Sequence, residues 1–158
     1  MNTLIREAVE KDLPSILNLY RQLGQDDGTV LELTAAQKIF RRMQDYPDYR
    51  LFLAEADGEI AGVFALLVMD NLGHNGAPSG VVEDVVVRSD LRGRGIGRTM
   101  MLFAIEYCRA RGCYKMSLSS NMVREAAHRF YENLGFRRHG YSFFCEPDQT
   151  LIAEQSHA

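Results

Sequence analysis

Apolar and polar positions alternate along the chain with two periods, and the switches between them mark the elements. Residues 3–9 carry enough apolar positions for a first strand. Leu13, Ile16, Leu17 and Tyr20 recur at helical spacing behind Asp12, an N-cap residue type, with Pro14 in the first turn where its missing N–H costs little. After the polar break at 24–28, Thr34 to Gln37 matches a capping box, and Ile39, Phe40 and Met43 supply the apolar face of a second helix, closed by Pro47. Residues 51–56 and 59–68 read as strands joined at Asp57-Gly58, a strong hairpin signal. A turn-rich loop at 71–79 leads into an apolar strand at 81–87. The segment 96–111 is a helix so dense in Met100, Met101, Leu102, Phe103 and Ile105 that most of it should be buried, and Gly112 ends it. A strand at 114–119 follows, then a helix at 125–134 with Ala127, Phe130, Tyr131 and Leu134 on one face. The pattern ends in one strand or two short ones at 136–145.

The order is β-α-α-β-β-β-α-β-α-β. The strand–helix–strand unit at 81–119 implies a right-handed parallel crossover, whereas the hairpin is antiparallel, so the expected class is α/β with a mixed, α+β-type sheet. A single domain is expected over 1–146, with a loose tail at 147–158 that has little to bury.

Charge narrows the partners. The net charge of -3 disfavours nucleic acid, which needs a basic face. Cys108, Cys113 and Cys145 form no CxxC pair, and reduced thiols in a cytoplasmic protein are the simplest account. Neither a signal peptide nor a membrane span is expected, and His74, His128, His139 and His157 lack metal-ligand spacing.

One stretch breaks the ordinary pattern: the strand 81–87 feeds a helix through Arg92, Gly93, Arg94, Gly95, Ile96, Gly97 and Arg98. Unpaired N–H groups and the dipole at a helix start attract anions, and glycines let a phosphate approach bare backbone. The spacing fits neither a Walker loop, because Gly97 is followed by Arg98-Thr99, nor a dinucleotide fingerprint, because Arg98 stands where the third glycine belongs. What remains is R-x-x-G-x-G, a diphosphate cradle.

This motif, the segment Glu83-Asp84-Val85-Val86-Val87 before it and His128-Arg129-Phe130-Tyr131 after it together resemble the GNAT N-acetyltransferases, over roughly 51–144. The resemblance implies a sheet whose strands at 81–87 and 114–119 splay apart, with acetyl-CoA as co-substrate and no metal. Its pantetheine arm would lie in the gap and its diphosphate on the helix start near Gly95. The backbone of Val85, Val86 and Val87 would bind pantetheine and the thioester carbonyl. Asn121, Ala127, His128, Phe130 and Tyr131 complete the coenzyme set, although Asn121 equally suits an N-cap.

Amide formation from a thioester needs a neutral amine and a protonated sulfur leaving group. Glu83 and Asp84 interrupt an apolar strand, and strict alternation puts them on opposite faces. The resemblance favours Glu83 as base, directly or through water, leaving Asp84 as an ion-paired group or a substrate contact. Tyr131 is implied as the acid, though packing alone would also explain an aromatic there. His74 is a loop candidate for the acceptor. The expected reaction is acetyl transfer to the primary amine of a small molecule by direct attack in a ternary complex. A peptide acetyltransferase and an acetyl-CoA sensor are the alternatives. The acidic residues Asp26, Asp27 and Glu32 point to a cationic acceptor. The strand at 136–145 could pair across a two-fold as a homodimer.

Overall fold

The computed structural model describes residues 2–23 and 28–143. Close contacts divide the chain into two units, Met1–Leu118 and Ser119–Ala158.

The first unit holds one five-stranded sheet. β1 (Thr3–Glu7), β2 (Tyr49–Ala56), β3 (Glu59–Met69) and β4 (Ser79–Val87) pair in sequence order, each antiparallel to the last. β5 (Lys115–Leu118) lies parallel to β4. The hairpin between β2 and β3 turns at Asp57 (φ 51°) and Gly58 (φ 85°). Two consecutive left-handed residues make the type I′ turn whose twist matches the strands it joins. The sheet is therefore mixed, as the pattern implied.

Three helices cover it. α1 (Leu13–Tyr20) and α2 (Leu33–Gln44) cover one face, where Ile16, Leu19 and Phe40 cluster with Leu53, Val63 and Val86. α3 (Ile96–Ala110) covers the other, where the Phe103 ring meets Phe52 at 5.0 Å and Phe64 at 6.4 Å. Alternation along β2 and β3 sorts these residues: Leu53 and Val63 face α1 and α2, and their neighbours Phe52 and Phe64 face α3. Leu53, Val63, Phe64 and Leu66 lose essentially all contact with water. Each such side chain contributes about 1.5–3 kcal/mol of transfer free energy. β4 packs closely on α3, for a Cβ at Gly80 would run into Cys108 Sγ.

Polar expectations fared less well than apolar ones. Asp12 precedes α1, but its carboxylate does not cap that helix. It accepts the Val9 N–H at 2.8 Å and a two-pronged contact from the Arg6 guanidinium at 2.7 and 2.9 Å, while Arg6 Nε donates to Glu55 at 2.6 Å. The Thr34 capping box does not form, because α2 already starts at Leu33 behind Glu32. On α3, Leu102 stays exposed, so burial of that helix is less complete than its apolar density implied. The bend past its end is as expected: Gly112 takes φ 71° and Cys113 N–H bonds Cys108 O.

In the second unit, α4 (Glu125–Glu132) is the described helix. Residues 136–143 form no strand. Gly140 turns left-handed at φ 73°, breaking the extended run, and Tyr141 and Phe143 are exposed with no strand partner among the described residues. The expected strand end at Phe144 and Cys145, the tail at 147–158, and the acidic Asp26 and Asp27 lie outside the described residues.

Candidate active site

The site begins with one extra residue in β4. Val86 pairs with Val63 and Glu83 with Ala65, so two residues of β4, Asp84 and Val85, stand opposite Phe64 alone. This is a β-bulge, and Asp84 takes φ 51° to make it. The consequence can be read from the valines. Val82 pairs with Leu66 and Val86 with Val63, which belong to opposite faces of β3. In a regular strand residues four apart would share a face. The bulge therefore reverses the facing of the strand partway along it.

The expectation that Glu83 and Asp84 point to opposite faces fails for this reason. Glu83 stands opposite Ala65, and both Ala65 and Asp84 belong to the face under α1 and α2. The pair is thus brought together on one side. Both carboxylates keep an exposed edge, but burial raises the pKa of each, and for Glu83 the neighbouring Asp84 charge adds to the rise. A carboxylate whose charged form is disfavoured by desolvation is a stronger base than a fully solvated one.

Between α1, α2 and the sheet lies a cleft of about 330 Å³. Asp84 is the one acidic residue lining it, and no Arg, Lys or His does so among the described residues. Tyr20 and Tyr49 add hydroxyls, and burial followed by the Asp84 charge pushes the pKa of both upward. The sequence named Leu13, Ile16, Leu17, Tyr20, Ile39, Phe40 and Met43 as helix faces for packing. That they also wall a cavity follows from how two helices rest on a sheet, which periodicity does not encode. Glu83 and His74 do not line it. The His74 ring instead stacks on Tyr114 at 3.8 Å.

The other edge of β4 is equally distinctive. Pairing with β5 runs from Ser79 to Val82 and stops there, so among the described residues Glu83, Asp84, Val85, Val86 and Val87 have no strand partner on that edge. This is the expected splay. Backbone groups left unpaired in this way must find another partner.

β4 then runs through a short 3-10 turn, Ser89–Leu91, into the Gly loop. Gly93 (φ 76°) and Gly95 (φ 84°) are both left-handed, and Gly95 is the N-cap of α3. The Thr99 N–H makes the first helical bond, to Gly95 O at 3.0 Å, which leaves the N–H groups of Ile96, Gly97 and Arg98 without helical acceptors. Arg92, Arg94 and Arg98 are exposed and form no ion pair among the described residues. Arg92 Nε folds back on Val87 O at 3.3 Å. Free backbone donors, a helix start and guanidinium groups without an acidic partner among the described residues together suit an anion.

In the second unit, Asn121 makes an Asx turn, its Oδ1 accepting the Val123 N–H at 3.1 Å. Its carbonyl accepts from Arg124 N–H and lies 2.9 Å from His128 Nε2. The Asn121 side chain thus shapes the entry to α4 without being its cap, and His128 ties the helix back to that entry. Ala127 and Phe130 are half-buried on α4. The Tyr131 ring packs edge-on against Phe130 (5.1 Å) and Phe136 (5.6 Å), and its hydroxyl makes no hydrogen bond among the described residues. Burial raises the phenol pKa, partly offset by Arg124, and so keeps its proton in place at neutral pH. Among the described residues no group of three His, Cys, Asp or Glu could hold a metal ion, and no helix is long and apolar enough to cross a membrane.

The mixed sheet thus holds a bulged, half-unpaired strand that feeds a glycine-arginine helix start suited to an anionic ligand. Comparison with known proteins makes this specific. The model of the acetyltransferase (GNAT) family matches residues 13–136. A glucosamine 6-phosphate N-acetyltransferase of Trypanosoma brucei brucei is 37% identical over 90 residues, which is 57% of this chain and 59% of that protein. An aminoalkylphosphonate N-acetyltransferase of Salmonella typhimurium is 29% identical over 88% of both chains. A solved Trypanosoma brucei acetyltransferase superimposes with a TM-score of 0.80 at 28% identity, covering 92% of this chain and 99% of that one. The chain belongs to the GNAT acetyltransferase family.

Proposed function

We propose that the chain transfers the acetyl group of acetyl-CoA to the primary amine of a small molecule, by direct attack within a ternary complex. The carrying observation is the β4 bulge. It turns Glu83 and Asp84 to one face beside the cleft while the same strand presents unpaired backbone on its edge and leads into the anion cradle.

The residues present fit the coenzyme. The N–H groups of Ile96, Gly97 and Arg98, with Arg92, Arg94 and Arg98, suit a diphosphate, and Gly93 and Gly95 supply the left-handed turns that aim them. The free edge of Val85, Val86 and Val87 suits the amides of an extended pantetheine arm. Asn121, Ala127, His128 and Phe130 are assigned to the coenzyme by the family pattern.

In the reaction the amine arrives as an ammonium. Glu83, assisted by the adjacent Asp84, accepts its proton directly or through water. The neutral nitrogen attacks the acetyl carbonyl, a C–N bond forms, the nitrogen gives up its surplus proton to solvent and the C–S bond breaks. Tyr131 gives its proton to the leaving thiolate and regains one from solvent. The cleft's volume of about 330 Å³ supports a small acceptor over a peptide. The free thiols of Cys108 and Cys113 are compatible with a reducing compartment such as the cytoplasm.

Calorimetric titration with acetyl-CoA, followed by thiol release on adding amines, tests this reading. Binding with amine-dependent thiol release is expected. Absence of binding would overturn it, and binding with no turnover on any amine would turn it into a sensor.

A further inference from the structure

The acceptor's chemistry can be taken further, on the reading that this is an amine acetyltransferase. We infer that the cleft under α1 and α2 takes a primary amine with an apolar aliphatic or aromatic body, its ammonium held by Asp84, and rejects amines bearing phosphate or phosphonate.

Three observations carry this. The walls are built from Leu17, Ile39, Phe40, Met43 and Leu51, with Tyr20 and Tyr49 contributing one hydroxyl each. Such a lining, to which Thr29 adds a third hydroxyl, gains from burying apolar surface and offers a strongly hydrated anion hydroxyls but no cation. Second, the described lining holds a single formal charge, the carboxylate of Asp84, and no cation. A phosphate brought into the cleft would leave its water, meet no Arg or Lys, and face a like charge. An ammonium meets the opposite charge at the same spot. Third, the volume of about 330 Å³ suits a compact body. A dry apolar cavity of about 150 Å³ accommodates one benzene molecule, so the cleft has room for an aryl or branched alkyl group with its amine-bearing linker.

The relatives make the inference a sharp one. The acceptors named for the Trypanosoma brucei brucei and Salmonella typhimurium enzymes carry a phosphate and a phosphonate. Identity of 37% and 29% shows the family and leaves the pocket free to differ. The cations that such acceptors call for are absent from the described lining here. The three arginines of this region, Arg92, Arg94 and Arg98, lie at the Gly loop and do not line the cleft.

The test measures thiol release from acetyl-CoA with n-alkylamines of increasing length, phenethylamine, glucosamine 6-phosphate and 2-aminoethylphosphonate, beside a calorimetric titration of acetyl-CoA alone. The expected result is a kcat/KM that rises along the alkylamine series and exceeds that of either anionic amine by at least about a hundredfold. In Asp84→Asn the apolar amines should lose about tenfold or more in kcat/KM with acetyl-CoA affinity unchanged. An introduced cation, Ile39→Lys, should narrow the gap between apolar and anionic amines. Anionic amines turned over as well as apolar ones, or apolar amines not acetylated by protein that binds acetyl-CoA, would overturn the inference and leave the acetyltransferase reading standing. Failure to bind acetyl-CoA would instead overturn the reading on which it rests.

Discussion

Replacing Asp84 by Asn removes one charge and almost no volume, at a residue that pays for its position twice. The backbone sits at φ 51°, where a residue with a Cβ is strained by about 1 kcal/mol, with Asn and Asp the side chains that tolerate it best. The carboxylate is also desolvated, which raises its pKa. A raised acid pKa means that the folded chain holds the proton more tightly than the unfolded chain. Stability contributed by this group therefore falls as pH rises from the unfolded value of 3.8 through the higher folded one. Asp84 keeps an exposed edge, so solvent screening limits that cost to about 1 kcal/mol at neutral pH. Asp84→Asn should accordingly be more stable by about 1 kcal/mol, a rise in Tm of about 2–4 °C for a chain of this size. Asp84→Gly, which also relieves the strain, should gain roughly twice that. Thermal melts between pH 3 and 8 check the argument, because the gain of Asn must vanish below about pH 4, where the carboxyl is protonated in both states. Acetylation by both variants should fall by about tenfold or more, since the charge that destabilises the fold is the one assigned to the ammonium. A destabilised Asp84→Asn with a pH-independent loss would refute the reasoning, showing that the carboxylate is a structural hydrogen-bond acceptor.

Other perturbations isolate other parts. Tyr131→Phe keeps the ring contacts with Phe130 and Phe136 and deletes a hydroxyl without a described partner, so Tm should hold while kcat drops about a hundredfold with acetyl-CoA affinity intact; an unchanged kcat removes it from the acid role. At Gly95 a Cβ meets nothing within 4 Å, yet φ is 84°, so Gly95→Ala should cost about 1 kcal/mol through conformation alone and weaken acetyl-CoA in calorimetry. Unaltered affinity would move the phosphate site elsewhere. Arg6→Ala leaves the buried Asp12 carboxylate without its guanidinium and should cost about 3 kcal/mol by denaturant melts. In the parent chain the Arg6 hydrogen bonds hold the Asp12 pKa below its ordinary 3.8, so the stability from this pair is complete above that value and is lost as pH falls below it. Arg6→Ala should remove that acid sensitivity, which pH-dependent melts can follow.

Local chemistry was legible without coordinates. Asp57-Gly58 dictates a tight hairpin because few residues accept φ > 0 twice in succession, and it turned where the pattern placed it. Arg92 to Gly97 suggests an anion cradle by residue type alone, and the left-handed Gly93 and Gly95 at the start of α3 fit that reading. Period-2 and period-3.6 patterns placed the four strands of the antiparallel sheet, β5 and all four helices to within a few residues. They placed the final strand wrongly, since a strand needs a partner and nothing in 136–143 states whether one is available.

What tertiary structure alone decided is the side to which the carboxylates point. A strand read residue by residue alternates, so Glu83 and Asp84 had to be assigned to opposite faces. The bulge that unites them arises from register, the count of β4 residues against β3, and register is a property of two segments far apart in sequence. The cleft has the same origin. Tyr20, Phe40, Met43 and Asp84 come from three elements, and each is explained locally by packing or by a strand position. Only the resting of α1 and α2 on a sheet that bulges beneath them makes a cavity with one charge among its described lining residues.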